Sequence, residues 1–206
     1  MKSNLVRSTA ALLCLVTHAA WAGGIEQLNR FLEETRTFQA DFTQTITQKS
    51  GRVRQSSQGK LMLYRPGKFR WQVEKPFPQL MLGDGQRIWV YDPDLKQAIQ
   101  RKADQAIGST PAALLAGGKT LEQAFSLKNI TAEDDLEWLE ATPKNTDSGF
   151  QTVRLGFSGA DLKVLEMLDN FGQNARVTFT RIERNPKLSD ELFRFTPPPG
   201  VDVLGL

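Results

Sequence analysis

The chain has 206 residues, with 26 lysines and arginines against 23 aspartates and glutamates, one cysteine and one histidine. Lys2, Arg7, Cys14 and His18 all precede Ala22, so processing after that residue leaves 24 of the 26 basic groups against the same 23 acidic ones, a net charge of +1. Such a chain cannot build a Ser-His-Asp or Cys-His nucleophile, a disulfide, or a zinc site from nitrogen and sulfur ligands, and its charge gives no global case for binding nucleic acid.

The first 22 residues read as a secretory signal: Lys2 and Arg7 lead, an apolar run covers residues 10–16, and Ala20-Trp21-Ala22 supplies small residues at the cleavage point. The run is too short to span a bilayer, and no later stretch is long enough either. Leu12-Leu13 precede Cys14 where a lipid-attachment site wants a small residue, so the expected product is a soluble single domain over residues 23–206.

Residues 24–36 place Ile25, Leu28, Phe31, Leu32 and Thr35 at helical spacing, with Glu26, Arg30, Glu33 and Glu34 opposite. The period then switches to two. Phe38, Ala40, Phe42, Gln44 and Ile46 share one side of a strand that ends at Ser50-Gly51, and a polar return strand covers residues 52–57. Residues 59–91 form the most apolar stretch. Arg65-Pro66-Gly67-Lys68 has proline and glycine where a type II turn needs them, so residues 60–65 and 68–74 predict a hairpin. One of its faces carries Leu61, Leu63 and Arg65, and the partner strand carries Phe69, Trp71 and Val73. Asp84-Gly85 turns residues 79–82 into residues 87–91, where both faces are bulky.

After the Asp92-Pro93-Asp94 turn comes a weak strand at 95–101. A short helix follows, with Ser109 and Thr110 as capping hydroxyls, Pro111 at its start and Gly117-Gly118 past its end. A second short helix is expected over 120–125. Strands then cover 136–142, 150–157, 162–169 and 175–183, and a last one at 192–196 stops at Pro197-Pro198-Pro199. The sum is a mainly β domain: a long antiparallel sheet that curls, with helices lying on its apolar face.

Few groups suggest chemistry. Asp134, Asp135 and Glu137 read as a solvated loop without a calcium-ligand pattern, and Gly83-Asp84-Gly85 as a hairpin turn. Lys49, Arg52, Arg54, Lys60, Lys68 and Arg70 make a basic strand region, either a solvated edge or a docking surface for an acidic partner. Arg65 stands out: it is either an ordinary surface arginine before a turn or, if it follows Leu61 and Leu63 inward, a cation at the margin of an apolar cavity that needs acceptors, for which the free carbonyls of a helix end would serve.

Taken together, FQADFTQ at 38–44, GKLMLYRPGKFRW at 59–71, DGQRIWVYDP at 84–93 and FRFTPPPGVDV at 193–203 resemble the LolA family, periplasmic carriers of outer-membrane lipoproteins. The resemblance implies an unclosed β-barrel with a helical lid over an apolar cavity. It puts Arg65 in the role of holding the lid shut through backbone carbonyls. It implies acyl-chain or rim roles for Phe69, Trp71, Leu61, Leu63, Leu82, Trp89 and Phe42, and lid roles for Leu28, Leu32, Ala112 and Leu115. It further implies a monomer in the periplasm that takes triacylated lipoproteins from the inner-membrane ABC transporter LolCDE and gives them to the outer-membrane receptor LolB. Neither cofactor, metal nor catalysis is expected, nor nucleic acid or stable membrane insertion. Two other readings stay open: a carrier or sensor of other hydrophobic ligands on the same fold, and a carboxylate-based hydrolase, which would need paired acids in an apolar cleft.

Overall fold

The curled sheet is present: in a computed structural model that describes residues 23–103, 110–117, 121–145 and 148–205, twelve strands form one sheet. The expected signal segment, Ser109, Gly118 and Thr120 lie outside the described residues. The first six strands are β1 (Thr37–Thr47), β2 (Val53–Tyr64), β3 (Lys68–Lys75), β4 (Gln79–Asp84), β5 (Arg87–Asp92) and β6 (Gln97–Lys102). The next six are β7 (Phe125–Ile130), β8 (Glu137–Pro143), β9 (Phe150–Ser158), β10 (Asp161–Asp169), β11 (Asn174–Arg184) and β12 (Asp202–Gly205). Their order across the sheet is β12-β6-β5-β4-β3-β2-β1-β11-β10-β9-β8-β7, so the outer strands β12 and β7 are edges and the barrel is unclosed. Among the described residues three α-helices accompany it: α1 (Gly24–Glu34), α2 (Pro111–Ala116) and α3 (Leu121–Ala124). Among the described residues no helix is long and apolar enough to cross a membrane.

Alternation decides what each strand buries. Phe38, Ala40 and Phe42 of β1 sit opposite Leu63, Leu61 and Gly59 of β2, and all of these face the concave side, where they join Phe69, Val153, Leu155, Phe157, Val177 and Phe179. Leu28 and Phe31 of α1 and Ala112, Leu114, Leu115 and Ala116 of α2 complete this core, so the helices close over the sheet. Gly59 makes the packing of Phe42 possible. A Cβ there would lie 2.0 Å from the Gln72 carbonyl oxygen and 2.7 Å from Phe42 Cζ. Because backbone must give way, Gly59→Ala is expected to cost about 2 kcal/mol or more, read as a lowered Tm with an unchanged unfolding m-value.

Several local expectations are corrected. The polar return strand and the first arm of the central hairpin are one continuous strand, β2. Phe125 starts β7 and does not end a helix, and β7 pairs with β8 at the sheet's edge. Residues 192–196 form no strand: a 3-10 helix, Asp190–Phe193, is capped by the Ser189 hydroxyl, which accepts from Glu191 N at 3.3 Å. Beyond the three prolines, which have no N–H for a ladder, β12 pairs parallel with β6, the one parallel pairing among the described residues.

The sheet has a second, smaller apolar layer on its outer face. Leu80, Leu82, Trp89 and Ala98 pack there with Tyr91, Phe195 and Val201 of the C-terminal segment. Leu82 pairs with Arg70 and Trp89, whereas its neighbour Met81 pairs with Trp71 and packs on the concave core. Leu82 and Trp89, expected at the cavity, are therefore on the opposite face, because in β4 and β5 both faces are apolar and sequence alone does not say which one turns inward.

Candidate functional site

Helix α1 has no basic side chain in its last turn, so its terminal carbonyls need donors from elsewhere. The β2–β3 turn brings one. Arg65 Nη1 donates to Phe31 O at 2.9 Å and Leu32 O at 2.8 Å, and Nε donates to Leu115 O in α2 at 3.2 Å. One guanidinium thus ties the ends of two helices that are far apart in sequence. Backbone bonds frame it: Arg65 N donates to Arg36 O at 2.9 Å, and Gly67 N to Ala116 O at 3.2 Å. Gly67, at φ +77, takes the left-handed backbone that this tight turn requires.

Arg65 is 8% exposed, and its guanidinium lies 4.5 Å from the centroid of the Phe31 ring. Burial pulls its pKa down to about 10, which still leaves it charged at neutral pH. Its hydrogen-bond acceptors are carbonyls and none is a carboxylate, while Nη2 is buried with no partner among the described residues. The charge is held by helix-end dipoles and a ring face, with one donor unsatisfied. Such a clasp is specific and of limited strength.

Under the start of α2, toward the end of the sheet opposite Arg65, lies a cavity of about 450 Å³, within the range of roughly 300–1,000 Å³ usual for ligand pockets. Its walls include Ile46, Trp71, Val73, Met81, Met167 and Val177. Thr110, Pro111 and Ala112, at the start of α2, form part of its cover, and Phe77 and Pro78 stand at its mouth. The Thr110 hydroxyl caps α2 by accepting from Ala112 N at 3.2 Å.

The sequence-derived residues divide accordingly. Trp71 and Ala112 line the cavity. Phe42, Leu61, Leu63 and Phe69 are fully buried beneath the helices, so they form the seat on which α1 and α2 rest and do not line open space. Leu28 and Leu115 are the buried helix side chains on that seat, with Leu32 packed at its margin. Ile46, Val73, Met81, Met167 and Val177 complete the cavity and are not among the sequence-predicted site residues, although Ile46 and Val73 continue the alternating rows of Phe38 and Trp71.

A larger hollow, about 660 Å³, opens at the start of α1 among Gly23, Asn129, Asp134, Glu137, Trp138 and Arg154. Its lining mixes polar and apolar groups, and Asp134 accepts there from Trp138 Nε1 at 2.6 Å. No group of three or more His, Cys, Asp or Glu placed to hold a metal occurs among the described residues. The basic strand region is narrower than its sequence suggests. Lys68 pairs with Asp190, Arg70 donates to Gln72 and to Leu192 O, and Arg54 donates to Gln173.

Trp71 stacks 4.6 Å from Phe42 and is the cavity's one tryptophan among its lining residues, since Trp89 lies on the outer face and Trp138 at the second hollow. An acyl-chain probe entering the cavity is expected to shift tryptophan emission, and Trp71→Phe should abolish the shift. An equal shift in that variant would place the probe elsewhere.

Comparison with known proteins gives a consistent set of matches. Residues 33–196 match the family described as outer membrane lipoprotein carrier protein LolA. A protein of Dechloromonas aromatica named outer-membrane lipoprotein carrier protein is 49% identical over 207 residues, covering 100% of both chains. One of the same name from Nitrosospira multiformis is 50% identical over 191 residues, covering 92% of each. Among solved structures, an uncharacterized conserved protein from Thermus thermophilus superposes with a TM-score of 0.54 at 12% identity, over 88% of this chain and 96% of that one, a likeness of fold alone.

Proposed function

The chain belongs to the LolA family of outer-membrane lipoprotein carrier proteins, and from that premise we propose that it ferries triacylated lipoproteins across the periplasm. In this reading it is exported by a signal cleaved after Ala22 and acts as a single-domain, non-catalytic carrier that takes cargo from LolCDE and yields it to LolB. The observation that carries the reading is the Arg65 clasp, which holds two helix ends over an apolar floor that runs on into a cavity toward the sheet's other end.

The energetics explain why a carrier needs such a cover. A sixteen-carbon acyl chain leaving water gains roughly 0.8 kcal/mol per methylene, about 12 kcal/mol in all. A cavity that stayed open would hold three such chains too tightly to release them. Helices that pack on Phe42, Leu61, Leu63 and Phe69 when the site is empty compete with the cargo for the same apolar surface. Net affinity is then the difference of two large terms, small enough for a receptor of higher affinity to draw the cargo onward without an energy source.

The test uses the protein purified from the periplasm and added to spheroplasts. Release of inner-membrane lipoproteins into soluble one-to-one complexes is the expected result. If no lipoprotein is released while free hydrophobic probes still bind, the cargo assignment falls and a carrier or sensor of other hydrophobic ligands takes its place.

A further inference from the structure

The two ends of the curled sheet differ in chemistry. At the end that holds Arg65, the hairpin connections are Arg65-Pro66-Gly67, Gly85-Gln86, residues 131–136 and Gly159-Ala160, and none carries a large exposed apolar side chain. At the other end, where the cavity opens, four neighbouring hairpins each carry one. Val53 follows the β1–β2 turn, Phe77 lies between β3 and β4, Leu95 between β5 and β6, and Phe171 between β10 and β11. They are 57%, 66%, 70% and 86% exposed. The other large apolar side chains so exposed among the described residues are Val203 and Leu204, on the edge strand β12. The eight strands that make these hairpins are consecutive in the sheet, so the four tips follow one rim.

Cations alternate with the tips. Lys49 and Arg52 flank the first turn, Lys75 precedes Phe77, and Lys96 follows Leu95; none of these four side chains has a hydrogen bond or ion pair within the described residues. Two of the rim's carboxylates are drawn inward by backbone. Asp92 Oδ1 accepts from Asp94 N and Leu95 N, and Asp169 Oδ1 accepts from Phe171 N and Gln173 N. Glu74 and Asp94 remain as the outward acids, and with Asp92 and Asp169 they balance the four cations, so the rim presents free cations beside its apolar tips without a net positive charge.

We propose that this rim docks the carrier, reversibly and mouth first, on an anionic lipid surface. Isolated apolar tips on separate turns, each beside a long cation, suit the headgroup region of a bilayer, where rings sink and ammonium groups stay with phosphates. A protein partner of standard size would call for a contiguous patch with a depleted-charge centre, and this rim has neither. Phe77 belongs to both rim and cavity mouth, so docking would present the opening at the depth of the acyl chains. The purpose of docking rests on the carrier reading, but its chemistry does not.

The experiment measures sedimentation of the periplasm-purified, cargo-free protein with vesicles of phosphatidylethanolamine and phosphatidylglycerol, and with vesicles of phosphatidylcholine. Binding is expected to be stronger to the anionic vesicles, through the free cations beside the tips, and to weaken near 1 M salt, where the screening length falls to about 3 Å. Lys49→Gln should weaken it about fivefold. Phe77→Ser with Phe171→Ser should weaken it about tenfold or more. Leu204→Ser, on the edge strand β12 and at none of the hairpin tips, should leave it unchanged. Absence of binding, equal binding to both vesicles, or full binding by the double variant overturns the proposal. If vesicles are not bound but the double variant still fails to draw lipoproteins from spheroplasts, the rim serves a protein partner. Vesicle binding as described, together with no lipoprotein release by the wild type, would instead remove the carrier reading and leave the lipid surface standing.

Discussion

Arg65→Leu is expected to open the cover and hold cargo. The substitution keeps the apolar stem but deletes donors to Phe31 O, Leu32 O and Leu115 O, and it removes the guanidinium from the Phe31 ring. With the helices closed, three carbonyls then lack partners at roughly 1 kcal/mol each, whereas with the helices open water satisfies them. The closed state therefore loses roughly 3 kcal/mol relative to the open one, a shift on the order of 100-fold in the equilibrium. Relief of the buried charge and of the unpaired Nη2 offsets part of this, so the net shift falls at or below that figure. On the proposal that the closed helices compete with acyl chains, the variant should load lipoprotein at least as well as the wild type and deliver it to the receptor far more slowly. Protease sensitivity in α1 and α2, with the sheet intact, would report the opening. Delivery at the wild-type rate would remove Arg65 from the clasp role.

Much of this site can be read in the sequence because strand alternation is strict. Leu61, Leu63 and Arg65 share a face by the period of two, and once Leu61 is inside, Arg65 follows it in and must find acceptors. Which carbonyls accept is less legible. Phe31 O and Leu115 O are brought together by how α1 and α2 lie over the sheet, and nothing local in either helix encodes that meeting. Alternation also fails where both faces are apolar. Leu82 and Trp89 are expected in the cavity, yet the C-terminal segment supplies Phe195 and Val201 as a cover on the other side. That segment hides its own strand as well: a run of prolines reads as the end of structure, and β12 beyond it is short and exposed, with pairing on one side only. The Pro111 helix is legible for the opposite reason, since cap, proline and glycine sit directly at its two ends.

Phe69→Glu is the second severe change, and its outcome separates a seat for the helices from a wall of the open cavity. Phe69 is fully buried, pairs with Leu63 across β2, and presses so closely on Gly83 that a Cβ there would lie 2.5 Å from Phe69 Cε1. There is no spare volume into which a carboxylate could turn toward water while the helices stay closed. Burying that charge costs several kcal/mol, and the chain can avoid the cost by protonating the group, by unfolding, or by lifting α1 and α2 to let water in. Lifting is the cheapest if those helices are a removable cover. The sheet should then persist, seen as an unchanged far-ultraviolet strand signal, while the cavity floor carries a charge where an acyl chain would lie. Such a protein should fail to draw lipoproteins from spheroplasts, in contrast to Arg65→Leu, which opens the same cover over an apolar floor. Collapse of the strand signal together with loss of loading would mean that the helices are permanent core, and Phe69→Leu, which keeps the floor apolar at smaller volume, would then be expected to load normally with only a lowered Tm. If Phe69→Glu instead loads like the wild type, acyl chains do not reach the floor beneath α1 and α2, and they occupy only the 450 Å³ beside it.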